Sequence, residues 1–164
     1  MEIKRIDHYS IRTLDVEACR KFYTEVIGLT VGPRPPFKFP GLWLYNGNPP
    51  ADLEHARGNY GIVHVMGVDP NDPQGLIDTL GHVDPETLKG GTGALDHIAL
   101  SVTGREGMVE RCKRKNVDFF ERSVPTLGLH QMFLKDPNGV IIELNFPAAE
   151  APKQQDAATT AAFR

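Results

Sequence analysis

The chain has 164 residues, 40% of them apolar and 24% charged, with 18 basic residues against 21 acidic ones for a formal net charge of −3. This is the composition of an ordinary globular protein; it excludes wholesale disorder and fibrous repeats, and the charge gives no electrostatic basis for binding nucleic acid or a membrane surface. No apolar run approaches the roughly 18 residues of a membrane span, Met1-Glu2-Ile3-Lys4-Arg5 is no signal peptide, and Cys19 and Cys112 are too few for a disulfide scaffold, so a cytoplasmic location is expected.

Taken in chain order, residues 3–12 read as a short strand with His8 at its middle. Asp15 stands where a helix N-cap belongs, since its carboxylate can accept from the free N–H groups of a first turn. Val16, Cys19, Phe22, Tyr23, Val26 and Ile27 follow at spacings of three and four and make one apolar face. Gly28 ends that helix, because glycine takes the left-handed C-terminal conformation without a steric penalty. Residues 29–45 read as strand, loop, strand. The prolines of the segment 32–41 forbid helix, and the loop is read as solvent-facing; Arg34, Phe37 and Lys38 are the residues that would close over an anionic or aromatic substrate. Leu42-Trp43-Leu44-Tyr45 has strand composition and stops at Asn46-Gly47, and residues 60–68 form a further strand carrying His64.

Residues 69–93 are punctuated by glycine and proline and read as a long connection with one short helix over 74–80. The opening theme then returns: Leu95-Asp96-His97-Ile98-Ala99-Leu100 echoes Ile6-Asp7-His8-Tyr9-Ser10-Ile11. Thr103-Gly104-Arg105-Glu106 reads as a capping box opening a second helix, with Met108, Val109 and Cys112 inward and Asn116 at its end. Residues 131–135 and 140–146 are strands joined by the turn Asp136-Pro137-Asn138-Gly139. The chain is therefore one βαβββ unit written twice: an α+β protein whose halves, about 3–68 and 94–147, need each other to bury a core. Residues 1–147 are expected to be one domain and 148–164 a flexible tail.

Four residues take equivalent places in the two halves. His8 and His97 sit in the first strands, each behind an aspartate; His64 and Glu143 sit in the last strands, each a few residues after a glycine. Imidazole nitrogen and carboxylate oxygen suit Fe, Mn, Ni, Co or Zn, and two histidines with one carboxylate are the set used by non-haem Fe(II). Glu143 lies within Val140-Ile141-Ile142-Glu143-Leu144, and a buried charge requires a partner, for which a cation is the economical choice. His130, near the end of the strand beside Glu143, is the candidate catalytic acid/base. Tyr9, Arg12, Trp43 and Gln131 are read as packing or surface residues, His55 and His82 as solvent-exposed, and the two cysteines as small core residues.

With Ile6-Asp7-His8, residues 22–29 (FYTEVIGL), Leu95-Asp96-His97 and residues 133–144 (FLKDPNGVIIEL), the sequence resembles the vicinal oxygen chelate superfamily, which includes glyoxalase I and the extradiol dioxygenases. The resemblance spans about residues 3–147. It implies paired βαβββ modules forming a cupped, partly closed mixed sheet around a divalent metal, with His8, His97 and Glu143 as ligands. His64 falls at or near the position that is often glutamate in glyoxalase I. It further implies a homodimer and a small oxygenated substrate held through two neighbouring oxygens. The chemistry expected is that of a lyase or isomerase, with ring-cleaving Fe(II) dioxygenase and metal-free antibiotic sequestration as the alternatives.

Overall fold

A computed structural model describes residue 1 and residues 6–80, 92 and 95–152; the first residues of the opening strand, His82, most of the connection after residue 80 and the end of the tail lie outside the described residues. The chain divides into two units, Met1–Gly90 and Gly91–Arg164. Unit 1 runs β1 (Tyr9–Thr13), α1 (Val16–Lys21), a π-helical turn (Phe22–Ile27), β2 (Thr30–Gly32), β3 (Gly41–Tyr45), β4 (Val63–Gly67) and α2 (Gln74–Leu80). Unit 2 runs β5 (His97–Ser101), α3 (Arg105–Lys115), β6 (Phe119–Val124), β7 (Leu129–Lys135) and β8 (Ile141–Pro147). Each holds an open four-stranded mixed sheet, ordered β1-β4-β3-β2 and β5-β8-β7-β6. The duplication is thus topological as well as sequential. No helix among the described residues is long and apolar enough to cross a membrane.

In unit 1, Asp15 caps α1 by accepting from the Ala18 N–H at 2.8 Å. Phe22 to Ile27 relax into a π-helical turn, where the Thr24 hydroxyl donates to the Arg20 carbonyl and competes with the regular ladder. Gly28, at φ 94°, closes the helix. Gly61 is required before β4: its φ is +83°, and a Cβ there would stand 2.7 Å from the Leu44 carbonyl oxygen. Helix α1 packs on β3 and β4, and with the π-helical turn after it buries Cys19, Phe22, Tyr23 and Val26 on the side of Ile11, Leu42, Leu44, Val63 and Val65. The proline-rich loop is more than a solvent loop. Phe39 is buried with Val68, just after β4, and Leu76 of α2, and Phe37 packs against that cluster.

In unit 2 the capping box does not form. Gly104, in the left-handed region at φ 87°, is the N-cap of α3, and no side chain of the local sequence caps it. Glu150 does so from the far end of the unit, its Oε2 accepting from the Gly104 and Arg105 N–H groups at 2.8 Å each. The first residues of the expected tail are therefore part of the unit. Strand β6 is an addition to the sequence reading: its charges fall on both faces and blur the alternation, and each has a partner. Glu121 takes a forked pair from Arg105, both bonds 2.7 Å, and Arg122 donates to Gln131. Asp136 builds the β7–β8 turn by accepting from the N–H groups of Asn138 and Val140 at 2.8 Å.

Candidate metal-binding residue pairs

Strand register gives the two units the same local geometry. Ser10 pairs with His64 across β1 and β4, and Ala99 pairs with Glu143 across β5 and β8. His8 and His97 each lie two residues before those partners, so with alternation along a strand each shares a face with the last-strand residue, one diagonal step away. His97 opens β5, whereas His8 immediately precedes β1 instead of occupying a strand's middle. On the other side of the last strand, Trp43 stands opposite His64 and Phe133 opposite Glu143.

In unit 1 the pair is a stack of rings. His8 lies on His64 with centroids 3.9 Å apart and planes 24° apart, and His64 lies on Trp43 at 4.0 Å and 8°. The His8 Nδ1–H donates to Asp7 Oδ2 at 2.9 Å, which leaves Nε2 as the lone-pair nitrogen of the neutral ring. His64 is 8% exposed, and its Nε2 contacts the Tyr60 carbonyl oxygen at 2.7 Å. A carbonyl only accepts, so Nε2 carries the proton and the neutral ring keeps its lone pair on Nδ1. Burial pushes the His64 pKa below its ordinary value, the hydrogen bond to Tyr60 opposes that shift, and the neighbouring His8 adds to it. Phe37 continues the row of rings, 6.4 Å from Trp43.

In unit 2 the pair is a charged contact. His97 Nδ1 lies 2.7 Å from Asp96 Oδ2, and its Nε2 lies 3.1 Å from Glu143 Oε2. With Nδ1–H donated to Asp96, Nε2 of a neutral ring is an acceptor facing a carboxylate oxygen. That contact is attractive only with a cation on it, either the ring's own second proton or a metal ion binding both lone pairs. Glu143 is 5% exposed, and its other oxygen accepts from the Gln131 and Asn145 amides at 2.7 and 2.8 Å. An imidazole whose far nitrogen is tied to a carboxylate is the usual form of a metal-ligating histidine, and both units contain it. The donors therefore fit a borderline divalent cation. Among the described residues, no three His, Cys, Asp or Glu side chains gather closely enough to hold an ion; each unit brings a pair together.

His130, the expected acid/base, faces the other side of its sheet. It pairs with Phe146 one step out of phase with Glu143, is 3% exposed, and its ring nitrogens contact Ser123 Oγ at 3.0 Å and Glu121 Oε1 at 3.1 Å. Alternation along β7 turns it towards the Arg105–Glu121 pair and away from the His97–Glu143 contact. Tyr9 likewise faces the helix, its hydroxyl 3.4 Å from that of Tyr23. His55 is exposed and bound to Asp52, and Cys19 and Cys112 are both buried at 0% exposure. The residues that the sequence reading passed over are Arg122, Phe133 and Asn145, together with Gln131, which it took for packing. Asn145 lies two residues after Glu143 and so on the same face, the one signal that could have found it.

The model of the Glyoxalase/Bleomycin resistance protein/Dioxygenase superfamily matches residues 5–144. No curated protein sequence matches the chain. Among solved structures, a glyoxalase family protein from Bacillus anthracis is 20% identical with a TM-score of 0.58, covering 90% of this chain and 98% of its own. An antibiotic-binding protein from Streptomyces is 19% identical with a TM-score of 0.57, covering 90% and 98%. The lactoylglutathione lyase of Agrobacterium tumefaciens is 14% identical with a TM-score of 0.54, covering 93% and 100%. At these identities the likeness is one of fold.

Proposed function

This chain belongs to the Glyoxalase/Bleomycin resistance protein/Dioxygenase superfamily, and on that premise we propose that it is a divalent-metal-dependent, glyoxalase-like enzyme of the lyase or isomerase type. The ligands in this reading are His8, His64, His97 and Glu143. The observation that carries it is the His97–Glu143 contact of 3.1 Å, which needs a cation on it, behind an Asp96 that orients the ring. The ion, one of Fe, Mn, Ni, Co or Zn, supplies Lewis-acid polarisation of two neighbouring oxygens of a small organic substrate. The protein's own contribution is orientation. Asp7 and Asp96 fix the tautomer of their histidines, and the half-buried Trp43 and Phe133 shield the coordinating faces from water. Burial keeps the His64 imidazole neutral and so available as a donor. In the same reading the protein is a cytoplasmic homodimer, in accord with two free cysteines.

The test is elemental analysis of protein purified without chelator. A stoichiometric divalent metal that disappears in His97→Ala supports the reading; an absence of metal in the parent overturns it. Oxygen uptake with ring-cleavage absorbance on a catechol panel, after anaerobic Fe(II) loading, would move the assignment to a dioxygenase. A second reading is favoured by the row of rings Phe37, Trp43, His64 and His8 and by the antibiotic-binding structural relative. In it the stack holds a flat organic molecule without chemistry, and a metal-free protein that binds such molecules is the outcome that would establish it.

A further inference from the structure

The face of the second sheet that carries Glu143 holds a chain of hydrogen bonds whose polarity has one solution. Arg122 stands opposite Gln131 across β6 and β7, and Gln131 stands opposite Asn145 across β7 and β8. The Arg122 Nε–H can only donate, so the Gln131 atom 2.7 Å from it is the carbonyl oxygen. The Gln131 amide nitrogen then points to Glu143 Oε1 at 2.7 Å and Asn145 Oδ1 at 2.9 Å, using both of its hydrogens. Asn145 accepts through its oxygen, so its own amide nitrogen is the donor to Glu143 Oε1 at 2.8 Å. One guanidinium thus orients two amides, and both amides converge on the same carboxylate oxygen. Oε1 accepts twice; Oε2 is left facing His97.

We propose that Gln131 and Asn145, oriented by Arg122, are positioning residues that dedicate Glu143 to single-oxygen coordination through Oε2. This rests on the reading of Glu143 as a metal ligand. A glutamate that cannot chelate through both oxygens occupies one coordination position, and the position saved stays open to a substrate oxygen. The same restraint disfavours Ca²⁺, which takes more oxygens and accepts bidentate carboxylates. Arg122 lies over the Phe133 ring, 5.0 Å from its centroid, so the guanidinium that begins the chain is itself held in place.

The experiment is Co(II) titration of the metal-free protein by chelator competition, read together with the visible Co(II) spectrum, for the parent and Gln131→Met. Methionine keeps the length of the side chain and removes the donor. The expected result is an affinity loss of about 10- to 100-fold and a weaker visible band, because a freed Oε1 adds a ligand and cobalt absorption falls as coordination number rises. Ile142→Val, a small loss of core packing on the opposite face of β8, serves as the stability control and should leave affinity and spectrum at parental values. If Gln131→Met fails to fold, Asn145→Ser removes the second amide donor and should shift both readouts in the same direction by a smaller factor. Parental affinity and spectrum in the donor-deleted variant, or an equal loss in Ile142→Val, overturns the positioning role while leaving the metal reading intact. A parent that binds no Co(II) overturns both.

Discussion

The two units share strand order, register and an aspartate-bound histidine, yet they surround the last-strand residue in opposite ways. His64 lies between two rings, desolvated and neutral, with a backbone carbonyl as its hydrogen-bond partner. Glu143 is as deeply buried but reached by amide donors, a guanidinium behind them, and an imidazole. An imidazole can shed its charge on burial, so aromatic walls suffice; a carboxylate that stays ionised needs donors on its oxygens. The duplicated scaffold therefore holds two chemically different residue pairs, and the difference follows from what stands opposite on the neighbouring strand.

The contrast extends to the helix-facing layers, and there the largest effect is expected. Unit 1 fills this layer with Ile11, Leu42, Leu44, Val63 and Val65, whereas unit 2 places Arg105, Glu121 and His130 among its apolar residues. Glu121→Leu should cost about 3–5 kcal/mol in urea unfolding, because it leaves Arg105 buried without its partner. Arg105→Leu combined with Glu121→Leu should recover much of that loss, since an apolar pair removes the stranded charge. An additive double variant would show that the pair is not coupled and would erase the contrast.

Each unit also carries one fully buried cysteine, Cys19 in α1 and Cys112 in α3, so thiol labelling reports the opening of each separately. Burial pushes the Cys112 thiol from 9.0 up to about 11. The unfolded chain releases that proton first, so the associated stability is complete below about pH 9 and is lost as pH rises through 11. By linkage this amounts to at most about 2–3 kcal/mol, less whatever solvent screening removes. Unfolding measured at pH 8 and pH 10.5 should show the loss, with Cys112→Ala flattening it. Equal stability at the two pH values would show that the buried thiol contributes nothing.

The smallest expected effects separate the two helix starts. Asp15→Ala and Glu150→Ala should each cost about 1 kcal/mol, but only the second should be reproduced by ending the chain at residue 147. A chain ending at Glu150 should be more stable than one ending at residue 147, because the carboxylate that caps α3 is retained. Thermal unfolding of the four variants distinguishes a local cap from one supplied across 45 residues of sequence.

Much of this was legible in the residues. Asp15 and Gly28 bracket the first helix as expected, Asn116 ends the third at φ 53°, and the repeated Asp-His falls at or just before the start of the first strand in both units. What failed did so for identifiable reasons. Thr103 resembles a cap, but Gly104 turns the chain through a positive φ and the first turn is met by a distant carboxylate. Strand β6 was hidden because Glu121 and Arg122 put charge on both faces, and each charge is satisfied only by a residue from another element.

By itself the sequence determined the duplicated α+β unit and the residue types at equivalent positions, because periodicity, caps and turns are local and repeat with the chain. Only the tertiary structure decided which side chains meet. Register across β7 and β8 puts Gln131 beside Glu143 and Asn145 and sends His130, one residue away, to the opposite face. A strand reverses its side chains at every residue, so a shift of one position exchanges the face of Glu143 for the face of Glu121. That phase is set by pairing with neighbouring strands, which no single segment contains.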